Sequence, residues 1–333
     1  MKFCRLKLIL LWAILIVSFV ILLFGVGIYY YATVYYNKSG PLKNSSIILI
    51  KNGMTLRDIS RELFRNGMID NSCIFQYTTR LRLGSQVLKA GEYKIDIGSS
   101  MFQIAEKMFH GKTFLHSISF PEGFTVKQIF KRLEDNPFLT GELPSKLPRE
   151  GDLYPSTYMF PLGTNRSDII DQAILAQKKV VDDIWANRNL NIPIKNKEDL
   201  VILASIVEKE TSRADERAHV ASVFINRLLK DIRLQSDSTV AYGICDGNYH
   251  LLDRKINRSD LAKKTPYNSY LINGLPPTAI SNPSRFSLEA VANPLNTDDL
   301  YFVSDGDGGH LFSNNLKYHN ANVQKLRSKS SAS

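Results

Sequence analysis

Cysteine is scarce in this 333-residue chain, which holds only three. None belongs to a CxxC pair or a Cys/His cluster, the spacings typical of structural zinc sites. The histidines give no better metal pattern, since His310 and His319 are too loosely spaced to argue for one. We therefore expect no metal ligand set and no cofactor. Cys73 and Cys245 could form a disulfide, but their spacing alone does not decide it.

Charge is absent from Leu8 to Tyr31. That run exceeds the roughly 20 residues a helix needs to cross a bilayer, and it is too long for the apolar region of a signal peptide. The basic segment MKFCRLK precedes it, so the positive-inside rule predicts a cytoplasmic N-terminus and an exported remainder. We predict a transmembrane anchor over residues 1–36. A polar Gly/Pro/Ser tether over 37–46 would separate it from a domain that folds without it.

Acidic residues are outnumbered, with 32 Asp and Glu against 42 Lys and Arg, which gives a net charge of +10. An exported domain is not expected to meet nucleic acid. Its basic surface fits either attraction to an anionic envelope polymer or lipid headgroup, or simple solvation without a partner. The hydrophobic share of 44% is ordinary for a globular chain, so extensive disorder is not predicted.

A repeated pattern, Gly-x-[Ser/Thr]-x3-Ile-x3-[Leu/Met], occurs at 53–63, 98–108 and 123–133. The Ser or Thr of each copy is an N-cap candidate, and an acidic or amide side chain follows three positions later, as in a capping box. The pairs are Thr55 with Asp58, Ser100 with Gln103, and Thr125 with Gln128. A strand-like run precedes each copy, so residues 47–149 are predicted to form three strand–turn–helix units. The first copy resembles the LysM module, which binds N-acetylated glycans, although Met54 stands where that module commonly has Asp.

The second half of the chain is predicted to be mixed α+β. Residues 150–196 form a connector and a helix, and residues 197–328 form the next domain. Asn196 is a helix N-cap candidate. RLQSDSTVAYGI (233–244) is typical of a strand, and residues 300–319 are typical of a β-hairpin with a tight turn. The predicted fold class is therefore α+β, with an N-terminal transmembrane helix.

Glu208 and Glu210 follow directly on an apolar run, LVILASIV (200–207), which is typical of a core helix. Burial and the negative end of the helix dipole both favour the protonated form of a carboxyl group placed there. A carboxyl group that keeps its proton can act as a general acid. The alternative is that both side chains emerge into solvent where the helix ends.

Residues two apart on a helix point roughly 200° apart, so Glu208 and Glu210 cannot form a glycosidase pair in one pocket. A hydrolase would need a second carboxylate from elsewhere, such as Asp237. One acid suffices if the substrate supplies the nucleophile. Tyr267 and Asn268, in TPYNSYLINGLPPTAI (265–280), offer an aromatic face and an amide that suit sugar rings, but such a stretch is also typical of a rigid surface loop.

Five collinear segments resemble the YceG-like endolytic murein transglycosylases of bacteria. They are LASIVEKET (203–211), VASVFINRL (220–228), RLQSDSTVAYG (233–243), TPYNSYLINGLPPTAISNP (265–283) and YFVSDGDGGHLFSNNLKYHN (301–320). The resemblance implies an inner-membrane anchor, a LysM-like subdomain and a YceG-like catalytic domain outside the cytoplasm. It also implies that Glu208 is the catalytic acid. The enzymes cut the MurNAc–GlcNAc β-1,4 bond of peptidoglycan without water, leave a 1,6-anhydro-MurNAc end, and are thought to end nascent strands near the peptidoglycan synthases.

A further set of polar residues within these segments is predicted to support substrate binding. The set is Glu210, Asn226, Arg227, Gln235, Asp237, Tyr267 and Asn268. Each could instead be a hydrogen-bonding residue of the core. Three other functions stay open: a glycan-binding scaffold without activity, a glycoside hydrolase of the same bond, and a metal-dependent peptidoglycan hydrolase, for which no ligand set is visible in the sequence.

Overall fold

A computed structural model of the chain describes residues 2–84, 86–248 and 254–332, and these residues divide into two compact units. The first unit comprises Met1–His116 with Phe160–Leu162, and the second comprises Ser117–Met159 with Gly163–Ser333. The elements, in chain order, are α1 (Lys2–Asn37), β1 (Ser46–Ile50), α2 (Leu56–Arg65), α3 (Ser72–Leu83), β2 (Gly91–Ile95), α4 (Met101–Phe109), β3 (Leu115–Ser119), α5 (Val126–Glu134), β4 (Thr157–Pro161), α6 (Arg166–Ala186), α7 (Lys197–Glu210), α8 (Arg217–Leu229), α9 (Asp237–Cys245), α10 (Arg258–Leu261), α11 (Arg285–Ala292), β5 (Tyr301–Ser304), β6 (His310–Ser313) and α12 (Leu316–Ala332). The mixed α+β class is confirmed.

The first unit packs α2, α3 and α4 around an antiparallel β1–β2 pair, in which Ile48 lies opposite Tyr93. The three predicted capping boxes are confirmed at Thr55, Ser100 and Thr125. Thr125 and its helix α5 belong to the second unit. In each box the hydroxyl accepts the N3 amide while the N3 side chain accepts the N-cap amide, so two of the amides that a helix leaves unpaired are satisfied.

Helix α1 is long and apolar enough, from Ile9 to Asn37, to cross a membrane. It does not end in a free tether as the sequence predicted. Tyr36 is 1% exposed in the core of the first unit, and its hydroxyl lies 2.8 Å from that of Thr79. Backbone hydrogen bonds also join Gly98 to Gly40 and to Leu42. Segment 37–46 is thus fixed because its backbone polar groups pair with the turn before α4.

The second unit is built on α7, which packs against α6, α8 and α11. The β5–β6 hairpin predicted for residues 300–319 is confirmed, with Tyr301 opposite Ser313. The strand predicted at 233–244 is wrong, because Asp237–Cys245 forms α9. A short run of apolar and β-branched residues can form either a strand or a helix. Here Asp237 lies in the first turn, where an acidic residue favours a helix, and the helix buries Val240, Ala241 and Tyr242.

Glu150 is a partly buried carboxyl group in the connector between α5 and β4. It accepts a hydrogen bond from the Val126 amide at 2.9 Å, and burial raises its pKa to about 7. The folded state therefore holds a proton that the unfolded chain releases near pH 4.5. Because the folded state binds more protons between these values, the free energy of unfolding should fall as pH rises from about 4.5 to 7.

In the wild type, the free energy of unfolding should fall by on the order of 2 kcal/mol over this pH range. The Glu150→Gln variant should lose most of that fall. Urea unfolding of the second unit at pH 5 and pH 8 measures it. The exposed Glu198 is the matched control, and Glu198→Gln should keep the wild-type slope. An unchanged slope in Glu150→Gln would contradict the assignment.

Candidate active site

The last turn of helix α7 lies in a polar cluster at the end of the second unit's core. Asn196 caps its start as predicted, with the side chain accepting the Asp199 amide at 2.8 Å. The helix is buried on nearly every side from Leu200 to Val207. Thr211 then leaves the helix in an extended conformation. The core thus fixes the position of the Glu208 backbone.

The Glu208 side chain is only 5% exposed, so it does not emerge into solvent. Its Oε2 accepts two hydrogen bonds from Ser284, one from the amide at 2.9 Å and one from Oγ at 2.5 Å. Ser284 is the N-cap of α11. The Glu208 carboxylate stands at the C-terminal end of α7, where the helix dipole disfavours a negative charge. It also faces the N-terminal end of α11, where the dipole favours one. These contacts offset part of the cost of burying an ionised carboxylate.

Arg217, the first residue of α8, supplies the positive charge of the site. Its side chain is 9% exposed, and Nη2 lies 3.7 Å from Oε1 of Glu208 and 3.9 Å from Oε2 of Glu122. Its guanidinium also stands 5.8 Å from the ring centre of Phe286. The Arg217 guanidinium therefore lies close to two carboxylates. The side chain of one of them, Glu122, is 48% exposed. Burial, and then the charge of Glu208, raise the pKa of Glu122, while Arg217 opposes the rise.

The loop that carries Glu122 is held by the segment that carries Ser284. Gly123 donates its amide to the Asn282 carbonyl, and Asn282 donates its own amide to the Phe124 carbonyl, both at 2.9 Å. Gly123 has φ +71°, and a Cβ atom there would lie 3.5 Å from Cγ of Glu208. The left-handed backbone favours glycine at this point of close approach.

Glu210 points away from this cluster, as its spacing from Glu208 predicted. Its Oε1 accepts hydrogen bonds from Oγ of Ser236 at 2.5 Å and Oγ of Ser238 at 3.0 Å. Burial raises the pKa of Glu210, and the two serines counteract the rise. Glu210 therefore helps to hold the start of α9 and does not share the surroundings of Glu208.

Two other predicted binding residues, Gln235 and Asp237, lie next to this start of α9 and are exposed. Oδ1 of Asp237 accepts the Tyr270 hydroxyl at 2.7 Å. Gln235 has φ +51°, and its Oε1 accepts from Nη1 of Arg227 at 3.3 Å. The structure thus brings three predicted residues together around Ser236. Gln235 and Asp237 flank it in the chain, and Glu210 accepts its hydrogen bond.

The remaining predicted binding residues are tied into the scaffold. Arg227 is 7% exposed and donates to the carbonyls of Leu300 and Leu234, and burial lowers its pKa. Asn226 and Asn268 also donate to backbone carbonyls. Tyr267 bonds through its hydroxyl to Thr278. These contacts position loops, and the substrate contacts of these four residues stay a prediction.

Sequence analysis did not single out Glu122, Arg217 or Ser284 as site residues. Glu122 stands in the turn of the third repeat, PEGFT, where the repeat alone suggested only a structural role. Ser284 is 76 positions from Glu208, and its N-cap position before α11 was the available signal. Nothing in the local spacing connects Arg217 to either carboxylate.

The sequence profile of the YceG-like family matches residues 48–325, which is most of the chain. This protein belongs to the YceG-like family. A relative from Bacillus subtilis, named endolytic murein transglycosylase, is 31% identical over 314 residues, which covers 85% of each chain. A relative of the same name from Streptococcus pneumoniae is 27% identical over 319 residues. The match covers 82% of this YceG-like chain but 57% of the streptococcal protein.

A solved structure of a YceG-like protein from Listeria monocytogenes matches this chain with a TM-score of 0.53 and 31% identity. The match covers 84% of this chain and 99% of the Listeria chain. The family resemblance carried by the five segments is therefore confirmed in both sequence and fold.

Proposed function

We propose that this YceG-like protein is a membrane-anchored endolytic murein transglycosylase with Glu208 as its catalytic acid. The observation that carries the proposal is the buried carboxyl group of Glu208, held by Ser284 and Arg217 at the end of α7. Support comes from the relatives of that name and from the family profile, whose match over residues 48–325 contains this cluster.

The proposed reaction uses one carboxyl group twice. Glu208 donates its proton to the glycosidic oxygen as the bond from that oxygen to C1 of MurNAc breaks. The resulting carboxylate accepts the proton of the C6 hydroxyl while O6 bonds to C1. Water is not consumed, the leaving GlcNAc keeps a hydroxyl, and MurNAc ends as the 1,6-anhydro sugar.

The surroundings of Glu208 suit the carboxylate stage of this cycle. The Ser284 amide and hydroxyl and the Arg217 guanidinium all stabilise the carboxylate that exists after the first proton transfer. Oε2 is occupied by Ser284, so Oε1 is the oxygen we assign to proton exchange with the sugar. Oε1 shares Nη2 of Arg217 with the half-exposed Glu122, and we propose that the glycan approaches from the side of Glu122.

Arg217 is proposed as the positioning residue for both carboxylates. Arg217→Met should lower the cleavage rate by about tenfold to a hundredfold, because two nearby carboxylates lose their shared cation. Arg217 opposes the rise in the pKa of Glu122, which interacts with the charge of Glu208. Because the two carboxylates interact, loss of Arg217 should also shift the pH–rate profile to higher pH. Arg217→Lys should restore part of the rate. A slower variant with an unshifted profile and no rescue by Lys would indicate a structural role only.

The first unit is proposed to be the LysM-like glycan-binding part. A groove of about 660 Å³ is lined by the turn of the first repeat, including Lys51 and Asn52, and by Arg80 and Lys89. Polar and basic groups of this kind suit a polar, anionic glycan strand. We further propose that the N-terminus is cytoplasmic, that both units lie outside the cytoplasmic membrane, and that the anchor keeps them near the peptidoglycan synthases.

A glycoside hydrolase is the second candidate function, favoured by Glu122 as a second carboxylate beside Arg217. Mass spectrometry of glycan strands digested by the purified protein separates the two. Transglycosylase products end in 1,6-anhydro-MurNAc, and hydrolase products end in reducing MurNAc, heavier by one water. We expect anhydro ends from internal cuts. Reducing ends would overturn the proposed reaction, and intact strands would favour a scaffold without activity.

A further inference from the structure

Helix α3 of the first unit runs beside the C-terminal end of α1. The last turn of α1 packs against it, with the Tyr36 ring 6.3 Å from that of Phe75 and its hydroxyl bonded to Thr79. Helix α1 has no break between its apolar run and this contact. The height of α3 relative to the membrane is therefore fixed by α1.

The two helices border an apolar groove of about 330 Å³. Gly25, Ile28 and Tyr29 line it from α1, and Cys73, Tyr77 and Leu81 line it from α3. Tyr77 is 69% exposed and Leu81 is 70% exposed. These two large side chains are four residues apart, so they project from the same face of α3.

The depth of the groove follows from the length of the span. The uncharged run begins at Leu8, and about 20 helical residues cross the hydrocarbon core. Residues 25–32 of α1 therefore stand at the boundary between the acyl chains and the headgroups. Tyr77 and Leu81 border the same groove as these residues, which puts them at the level of that boundary once α1 crosses a bilayer. Tyrosine is favoured at this depth.

Helix α3 as a whole is positively charged, since it carries no acidic residue. Its last turn holds Arg80 and Arg82, and its first turn has no acidic residue. The Arg82 guanidinium lies over the rings of Tyr36 and Phe102. An exposed apolar face on a helix of net positive charge suits a membrane that contains anionic lipids.

From these observations, we infer that α3 is a second membrane contact, which seats Tyr77 and Leu81 in the outer leaflet beside the span. The inference rests on α1 crossing the bilayer and is independent of the catalytic role of Glu208. Two contacts restrict rotation of the first unit about α1, so that one face of the unit is held toward the lipid.

A fluorescent label at Leu81→Cys tests the contact in the full chain, reconstituted in nanodiscs of phosphatidylglycerol and phosphatidylethanolamine. Cys4 and Cys73 are replaced with Ser, and Cys245 is buried. We expect lipids with a quencher on the acyl chain to quench this label, and iodide in the buffer to quench it several-fold less than a label at Arg61→Cys. Arg61 is exposed on α2, which packs on α3.

A label at Phe24→Cys within α1 reports the anchor itself, since Phe24 is 71% exposed. Quenching at Phe24 and Leu81 by lipid, with Arg61 quenched by iodide, supports the inference. Equal iodide quenching at Leu81 and Arg61 overturns it. A label at Phe24 that lipid does not quench overturns the anchor and the contact together, while the cleavage reaction is tested separately by its products.

Discussion

Glu208→Gln is expected to lower the rate of glycan cleavage by at least about a hundredfold. Glutamine has nearly the same shape and can still accept the Ser284 amide and hydroxyl hydrogen bonds. Its amide cannot donate a proton to the glycosidic oxygen or accept one from the C6 hydroxyl. The side chain should therefore stay in place while both proton transfers are lost. The measurement is the rate of release of anhydro-ended fragments from purified strands.

Glu210→Gln is the matched control, because Glu210 ends the same helix but contacts Ser236 and Ser238 instead of the Glu208 cluster. It should retain much of the activity. Thermal unfolding of both variants should stay within a few degrees of the wild type, which excludes a folding defect. Wild-type activity in Glu208→Gln would remove the proposed mechanism.

Tyr36→Ala is expected to destabilise the first unit by about 3–5 kcal/mol, the range for truncating a buried aromatic side chain. The ring fills a core position between Phe75 and Phe102, and its hydroxyl pairs with that of Thr79. A soluble chain that begins at residue 38 lacks the same side chain and should show the same loss. A chain that begins at Thr33 keeps the ring and should retain the fold.

Tyr36→Phe is the control for this prediction, since it keeps the ring and removes only one hydrogen bond, worth about 1 kcal/mol. Urea unfolding, with hydrogen exchange to locate the first unit, measures each variant. If the chain that begins at residue 38 were as stable as the one that begins at Thr33, then segment 37–46 would behave as the loose tether that the sequence predicted.

Local features of this protein were predictable from sequence. The apolar run of α1, the three capping boxes, the N-cap of α7 and the β5–β6 hairpin depend on residues within a few positions of one another. The opposite directions of Glu208 and Glu210 are also local, because helix geometry alone sets them. The family was recognisable because five long segments occur in one order along the chain.

Two of the predictions that differ from the structure fail for one reason. The run at α9 has side chains that suit either a strand or a helix. The polar segment after α1 has the composition of a flexible tether, yet its backbone forms hydrogen bonds with Gly98. In both segments, contacts with distant parts of the chain decided which conformation forms.

The sequence by itself determined that a carboxyl group stands at the end of a buried helix, because apolar periodicity and capping act over a few residues. Only the tertiary structure decided what surrounds that group. Ser284, Arg217 and Glu122 come from separate elements, and only the packing of α7, α8 and α11 brings them to Glu208. The physical reason is that burial and charge pairing depend on distances in space, which spacing along the chain does not specify.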